Sequence, residues 1–129
     1  MTTLIICLII ACLMPYISKI PLAVAMKEQP NGYDNNHPRA QQASLSGFGA
    51  RALAAHQNSF ESLIIFSAAV TTALATQHTG LAIQILAIIY LVSRFIYHVL
   101  YLLNWATLRS TIWALGLIAS FGILWQCLN

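Results

Sequence analysis

Four apolar stretches, residues 3–26, 47–75, 81–103 and 108–127, dominate this 129-residue chain. Each is long enough to cross a bilayer as a helix, which takes about 20 residues. The segments between them are polar. Residues 27–46 hold Pro30, Asn31-Gly32, Asp34, Asn35, Asn36 and His37-Pro38, a cluster of turn formers that predicts a loop. Gln77-His78-Thr79-Gly80 and Asn104-Trp105-Ala106-Thr107 make the two short connections. Short connections favour antiparallel neighbours. The predicted fold is therefore all-α, a single integral-membrane domain over residues 1–129 built as a four-helix bundle.

The charge content agrees. Charged residues are 7% of the chain and hydrophobic residues 59%, whereas a soluble domain carries about 25% charged residues. Six Lys and Arg with three Asp and Glu do not cover a water-facing surface. The net charge of +3 is too small and too scattered for a nucleic-acid partner. Cys7, Cys12 and Cys127 lie in apolar stretches, and no His, Cys or carboxylate spacing suggests a metal site.

The first stretch resembles the apolar core of a signal peptide, but no Lys or Arg precedes it, and the first basic residue is Lys19. Apolar character resumes through Pro21–Met26. Residues 3–26 are therefore expected to be a retained span, bent near Pro15 or Pro21. Lys27 and Arg39 lie in the first loop, Lys19 and Arg51 near its ends, and Arg109 beside the third. The second loop and both chain ends carry no Lys or Arg. The positive-inside rule then puts loops one and three in the cytoplasm and both termini outside.

Two charges fall where lipid makes them costly. Glu61 lies near the middle of the second span and Arg94 near the middle of the third. A lone charge at that depth costs about 2.5–3.5 kcal/mol or more. The two helices run antiparallel, so the economical expectation is an ion pair between Glu61 and Arg94 inside the bundle. At about 100° per residue, Arg51, Asn58 and Glu61 share one face of the second span. Arg94, Tyr97, His98, Tyr101 and Asn104 share a face of the third. His56 points about 140° away from Arg51, toward a neighbouring subunit. Two explanations of the polar stripes stand side by side: polar glue between helices, or a cleft open to the cytoplasm that binds an anionic, hydrogen-bonding ligand.

The order and spacing of these residues resemble a known family. Arg51 to Glu61 is similar to the second-helix signature R-x-x-R-A-x-x-N-x-x-E of the MAPEG family, membrane-associated proteins in eicosanoid and glutathione metabolism. Arg94, Tyr97 and Tyr101 match the family's R-x-x-[HY]-x-x-x-Y in the third helix. Arg109-Ser110 resembles an Arg-Ser pair of its prostaglandin E synthase branch. Tyr33 to Arg39 is similar to the first loop of a bacterial branch. The sequence departs from the pattern at Ala54 and Gln57, where members of the family carry arginines.

The resemblance implies a homotrimer with glutathione as co-substrate between subunits, near the cytoplasmic side. Asn58 and Glu61 would hold the peptide backbone, with Glu61 paired to Arg94. Tyr97 and Tyr101 would donate hydrogen bonds, and Arg51 would meet a carboxylate. Arg109 would be the catalytic residue, stabilising the glutathione thiolate. An apolar second substrate or lipid would enter from the membrane, here a bacterial inner membrane. The implied activity is a glutathione-dependent transferase or peroxidase acting on apolar electrophiles or lipid hydroperoxides. Two alternatives remain at this point: a non-catalytic member of the same fold that binds lipid or a partner protein, and a small multidrug transporter. The transporter class places a carboxylate in its first helix, where this chain has none.

Overall fold

The computed structural model describes residues 1–128. It contains five helices: α1 (Thr2–Lys27), α2 (Pro38–Ser44), α3 (Gly47–Ala75), α4 (Leu81–Leu102) and α5 (Ala106–Gln126). Four of them, α1, α3, α4 and α5, are long and apolar enough to cross a membrane. No strand occurs among the described residues. The fold is the expected all-α bundle of four long helices.

The turn-forming segment 27–46 is more ordered than its composition suggested. It contains α2, which starts at Pro38 in the first helical position, where the missing N–H is not needed. Asp34 Oδ1 accepts from the backbone N–H groups of Asn36 and His37, both at 2.9 Å, and so shapes the approach to α2. Gln41 then ties the loop together. Its Nε2 donates to the carbonyls of Met26 at 3.2 Å and Gly32 at 2.7 Å, and its Oε1 accepts from Asp34 N at 3.0 Å. A single amide therefore satisfies three backbone groups that no helix would have satisfied.

Inside the bundle small residues make many of the contacts between helices. Ala69, Ala73, Ala87, Ala119, Ser93 and Ser120 are buried, while Ile9, Ile20, Ile85, Phe95, Ile118 and Phe121 are exposed. This pattern suits lipid as the solvent, because small side chains let helices approach and dispersion then holds them. Two larger rings fill the centre. Phe66 and Tyr90 stack with centroids 3.8 Å apart, and Tyr90 Oη finds a partner in Ser62 Oγ at 2.8 Å. α1 runs helically through both Pro15 and Pro21.

The connection from α4 to α5 is tighter than expected. Helix α4 ends at Leu102, and Asn104 leaves the helix with φ of 63°. Trp105 N donates to Leu100 O at 3.0 Å and Asn104 N to Tyr101 O at 3.1 Å. That bond pair is a Schellman closure, with asparagine in the left-handed position usually taken by glycine. Asn104 thus ends α4 rather than extending its polar face. The sharp reversal brings Arg109, in the first turn of α5, back over the last turns of α4.

α4 and α5 also approach closely at Gly116. A Cβ placed there would lie 2.7 Å from Ser93 Oγ. The Ser93 hydroxyl is itself buried and donates to Tyr90 O at 2.7 Å. We expect Gly116→Ala to destabilise the protein by about 1–3 kcal/mol through overpacking. Adding Ser93→Ala should recover most of that loss, since the next nearest atoms, Arg94 Cδ at 3.5 Å and Ser93 Cβ at 3.8 Å, lie at ordinary van der Waals distance. Thermal melting of the single and double variants in detergent is the check, and equal melting of the two would refute the contact.

Candidate functional site

Arg94 is the buried charge of the bundle, 2% exposed. Its guanidinium donates from Nη2 to Asn58 Oδ1 and packs over the Tyr97 ring, 4.1 Å from the centroid. Asn58 in turn donates from Nδ2 to Glu61 Oε2 at 2.9 Å. The expected direct ion pair is therefore not formed. The one ion pair within 4.0 Å among the described residues is His37 with Asp34. The reason is local. Asn58 and Glu61 lie one turn apart on α3, so the carboxylate folds back onto the amide on the exposed flank of the helix. The amide, which offers both an acceptor and donors, stands between the two charges and serves each.

These residues line a small cleft of about 100 Å³ together with Ser62, Trp113 and Ser120. A second cleft of about 200 Å³ is lined by Tyr97, Tyr101, Arg109, Ser110 and Trp113. Arg109 lies over the Tyr101 ring, 4.0 Å from its centroid. Tyr97 meets Tyr101 edge to face at 5.6 Å. No carboxylate pairs with Arg109 among the described residues, so its guanidinium faces the cleft with charge to offer. Tyr97 and Tyr101 sit one turn apart on α4, and Arg109 reaches them because the Asn104 reversal is so short.

Trp113 joins the two clefts and lies outside the motifs that the sequence singles out. The available signal was its position one turn after Arg109, which puts both side chains on the same flank of α5. Arg51 stands apart from this group. It lines neither cleft, and its Nε donates to Leu102 O at 3.4 Å, capping the end of α4. The structure thus gathers Asn58, Glu61, Arg94, Tyr97, Tyr101 and Arg109 around Trp113, and leaves Arg51 at the edge.

Behind the clefts runs a second polar chain. His98 Nδ1 lies 2.7 Å from Arg94 O, and a carbonyl can only accept, so Nδ1 carries the proton. In the neutral ring Nε2 must then accept from Ser59 Oγ, 2.6 Å away. The Ser59 and Ser18 hydroxyls are 3.1 Å apart. His56 Nδ1 donates to Pro15 O at 2.9 Å. His56 is buried against α1, not turned toward a neighbouring subunit as its angle from Arg51 had suggested. Its direction had been judged from one helix alone, while α1 supplied the acceptor.

A family model, the MAPEG family, matches residues 3–129. The chain belongs to the MAPEG family. Comparisons with curated proteins and with solved structures gave no match. Membership over essentially the whole chain supports a MAPEG-type membrane protein. Glu61 belongs to the polar group around Asn58.

The arrangement ranks Asn58 above Glu61 for stability. Asn58→Leu leaves the Arg94 guanidinium buried without its acceptor and should cost about 2–3 kcal/mol. Glu61→Gln keeps an oxygen for the Asn58 amide and should cost under about 1 kcal/mol. Melting temperatures in the same detergent decide between them. A larger loss for Glu61→Gln would restore the direct ion pair and contradict the geometry.

Proposed function

We propose that this MAPEG protein is a membrane-bound glutathione-dependent transferase or peroxidase acting on apolar electrophiles or lipid hydroperoxides. The observation that carries the reading is the Arg109 guanidinium, unpaired by any carboxylate among the described residues and stacked on Tyr101 in a cleft shared with Tyr97 and Trp113. A thiolate is the nucleophile of such reactions. A neighbouring cation lowers a thiol pKa from about 8.5 toward neutrality. Arg109 would supply that cation, and Tyr97 and Tyr101 hydroxyls would donate hydrogen bonds to the same sulfur or to the peptide. Asn58 and Glu61 would hold the peptide backbone, with Arg94 fixing the Asn58 amide from below. Arg51, at the end of α4, would meet a carboxylate after giving up its bond to Leu102 O.

The two clefts are small beside typical ligand sites of about 300–1,000 Å³, so a further wall is required. We assign it to a second copy of this chain. Gln57 and Glu61 are exposed on α3 together with Ala50, Ile64 and Ala68, at helical spacing on one flank. A mid-span carboxylate does not face lipid cheaply, and small residues beside it permit close helix approach. A homotrimer with this flank turned inward would cover Glu61 and complete the clefts. In this arrangement the basic loops one and three face the cytoplasm and both termini lie outside, in a bacterial inner membrane. Native mass spectrometry from detergent should give the trimer mass, and a monomer at all protein concentrations would oppose it.

One observation favours a second reading, a non-catalytic protein of the same fold that binds lipid or a partner. Ala54 and Gln57 supply no cation where family members carry arginines, so the site has fewer groups for the two carboxylates of glutathione. Conjugation of glutathione to chlorodinitrobenzene by purified protein separates the two. The enzyme reading expects activity that falls about 100-fold or more in Arg109→Ala with the melting temperature little changed. Absence of both conjugation and glutathione binding supports the second reading.

A further inference from the structure

Lys19 and Arg39 lie outside both clefts and take no part in the function proposed above. Lys19 is half-buried on α1. Its ammonium carries three donors, yet its one hydrogen-bond contact is Met26 Sδ at 4.0 Å, and a thioether is a weak acceptor. Gln42, 4% exposed, reaches the same sulfur with Nε2 at 3.8 Å. The Oε1 of Gln42 accepts from Arg39 Nη1 at 3.1 Å. A thioether and one neutral amide therefore link two cations carried on different elements, α1 and α2.

The arrangement is built rather than incidental. Gln41 pins α2 to Met26 O and to the Gly32 turn, so Arg39 hangs from a fixed helix. No carboxylate answers either cation, since the one ion pair among the described residues is Asp34 with His37 at 3.8 Å. Two like charges held together repel, and more strongly as the local dielectric falls. An anion between them would reverse the sign of that interaction.

The position narrows what the anion is. Arg39 sits on α2 at the basic loop end of the bundle, and Lys19, about two turns inside that end of α1, reaches toward it as far as Met26 Sδ. Anionic lipid headgroups crowd the membrane surface at that level, and basic pockets between membrane helices bind their phosphates. We infer that Lys19 and Arg39 form a site for the phosphate of an anionic phospholipid headgroup. The phosphate oxygens would accept hydrogen bonds from the Lys19 ammonium and the remaining Arg39 N–H groups, and an arginine fork suits phosphate geometry. A phosphatidylcholine headgroup carries the same phosphate, but its quaternary ammonium would face two cations and weaken the contact.

The test uses the full-length protein in dodecyl maltoside. Dioleoyl phosphatidylglycerol, dioleoyl phosphatidylcholine, inorganic phosphate and glutathione are added in separate titrations. Bound species are followed by native mass spectrometry and stability by thermal melting. Phosphatidylglycerol should bind and raise the melting temperature, with phosphatidylcholine and inorganic phosphate far weaker. Lys19→Gln and Arg39→Gln should each weaken phosphatidylglycerol binding about fivefold, and the double variant about thirtyfold. Arg39 is exposed, so Arg39→Gln carries the test even if Lys19→Gln folds poorly. Unchanged phosphatidylglycerol affinity in Arg39→Gln overturns the site. An equal loss in Lys27→Gln, at the exposed end of α1, overturns it in favour of general surface charge. Inorganic phosphate as effective as the lipid, or a glutathione-induced shift that Arg39→Gln removes, overturns the lipid assignment. Loss of glutathione conjugation in Arg109→Ala, or its absence altogether, leaves these lipid readouts untouched.

Discussion

A guanidinium held almost entirely out of water, near the middle of a membrane-spanning helix, sets the terms for the rest of this bundle. Arg94 cannot lose its charge under ordinary conditions, so the protein must supply what water would have given. It does so with an amide acceptor from α3 and an aromatic face from its own helix. Both are weaker partners than a carboxylate but cost less to desolvate, and an amide can pass the interaction onward. Asn58 does this by donating to Glu61. The acid and the base thus stabilise each other through a neutral relay, and the carboxylate stays at the exposed flank.

That arrangement gives α4 two different polar sides. Toward α5 it presents Tyr97 and Tyr101, with Arg109 laid across them. Toward α1 and α3 it presents His98, which accepts from Ser59 and donates to the Arg94 carbonyl. The two sides meet at Arg94, whose side chain serves the clefts and whose backbone serves the buried chain. Polar groups of the second kind hold helices together, and those of the first kind are left with capacity to bind. Polar glue and open clefts therefore occur together in this fold, on adjoining flanks of one helix.

The small residues make this geometry possible. Gly116 and Ser93 let α4 and α5 approach until a single added methyl would collide, and the Asn104 closure folds α5 back after three residues. Without that closeness Arg109 would not reach Tyr101, and Trp113 would not bridge the two clefts. Loop one shows the same economy at the C-terminal end of α1. Gln41 and Gln42, two adjacent amides, hold α2 in place and carry Arg39 toward Lys19.

The number and limits of the long helices, the polar loop and the grouping of Asn58, Arg94, Tyr97 and Tyr101 were legible in the sequence. Hydropathy and helical periodicity act within one segment, and local order is enough to read them. The short helix α2 was hidden because it is only seven residues long and follows a run of turn formers, and it is held by Gln41 bonds to groups nine and fifteen positions away. The relay through Asn58, the burial of His56 against Pro15, the role of Trp113 and the removal of Arg51 to the end of α4 came only with the tertiary structure. Each depends on which side chain of another helix stands opposite. Periodicity gives a residue's direction around its own axis but not its depth or its neighbour, and in a bundle packed through small residues a shift of one turn changes the partner.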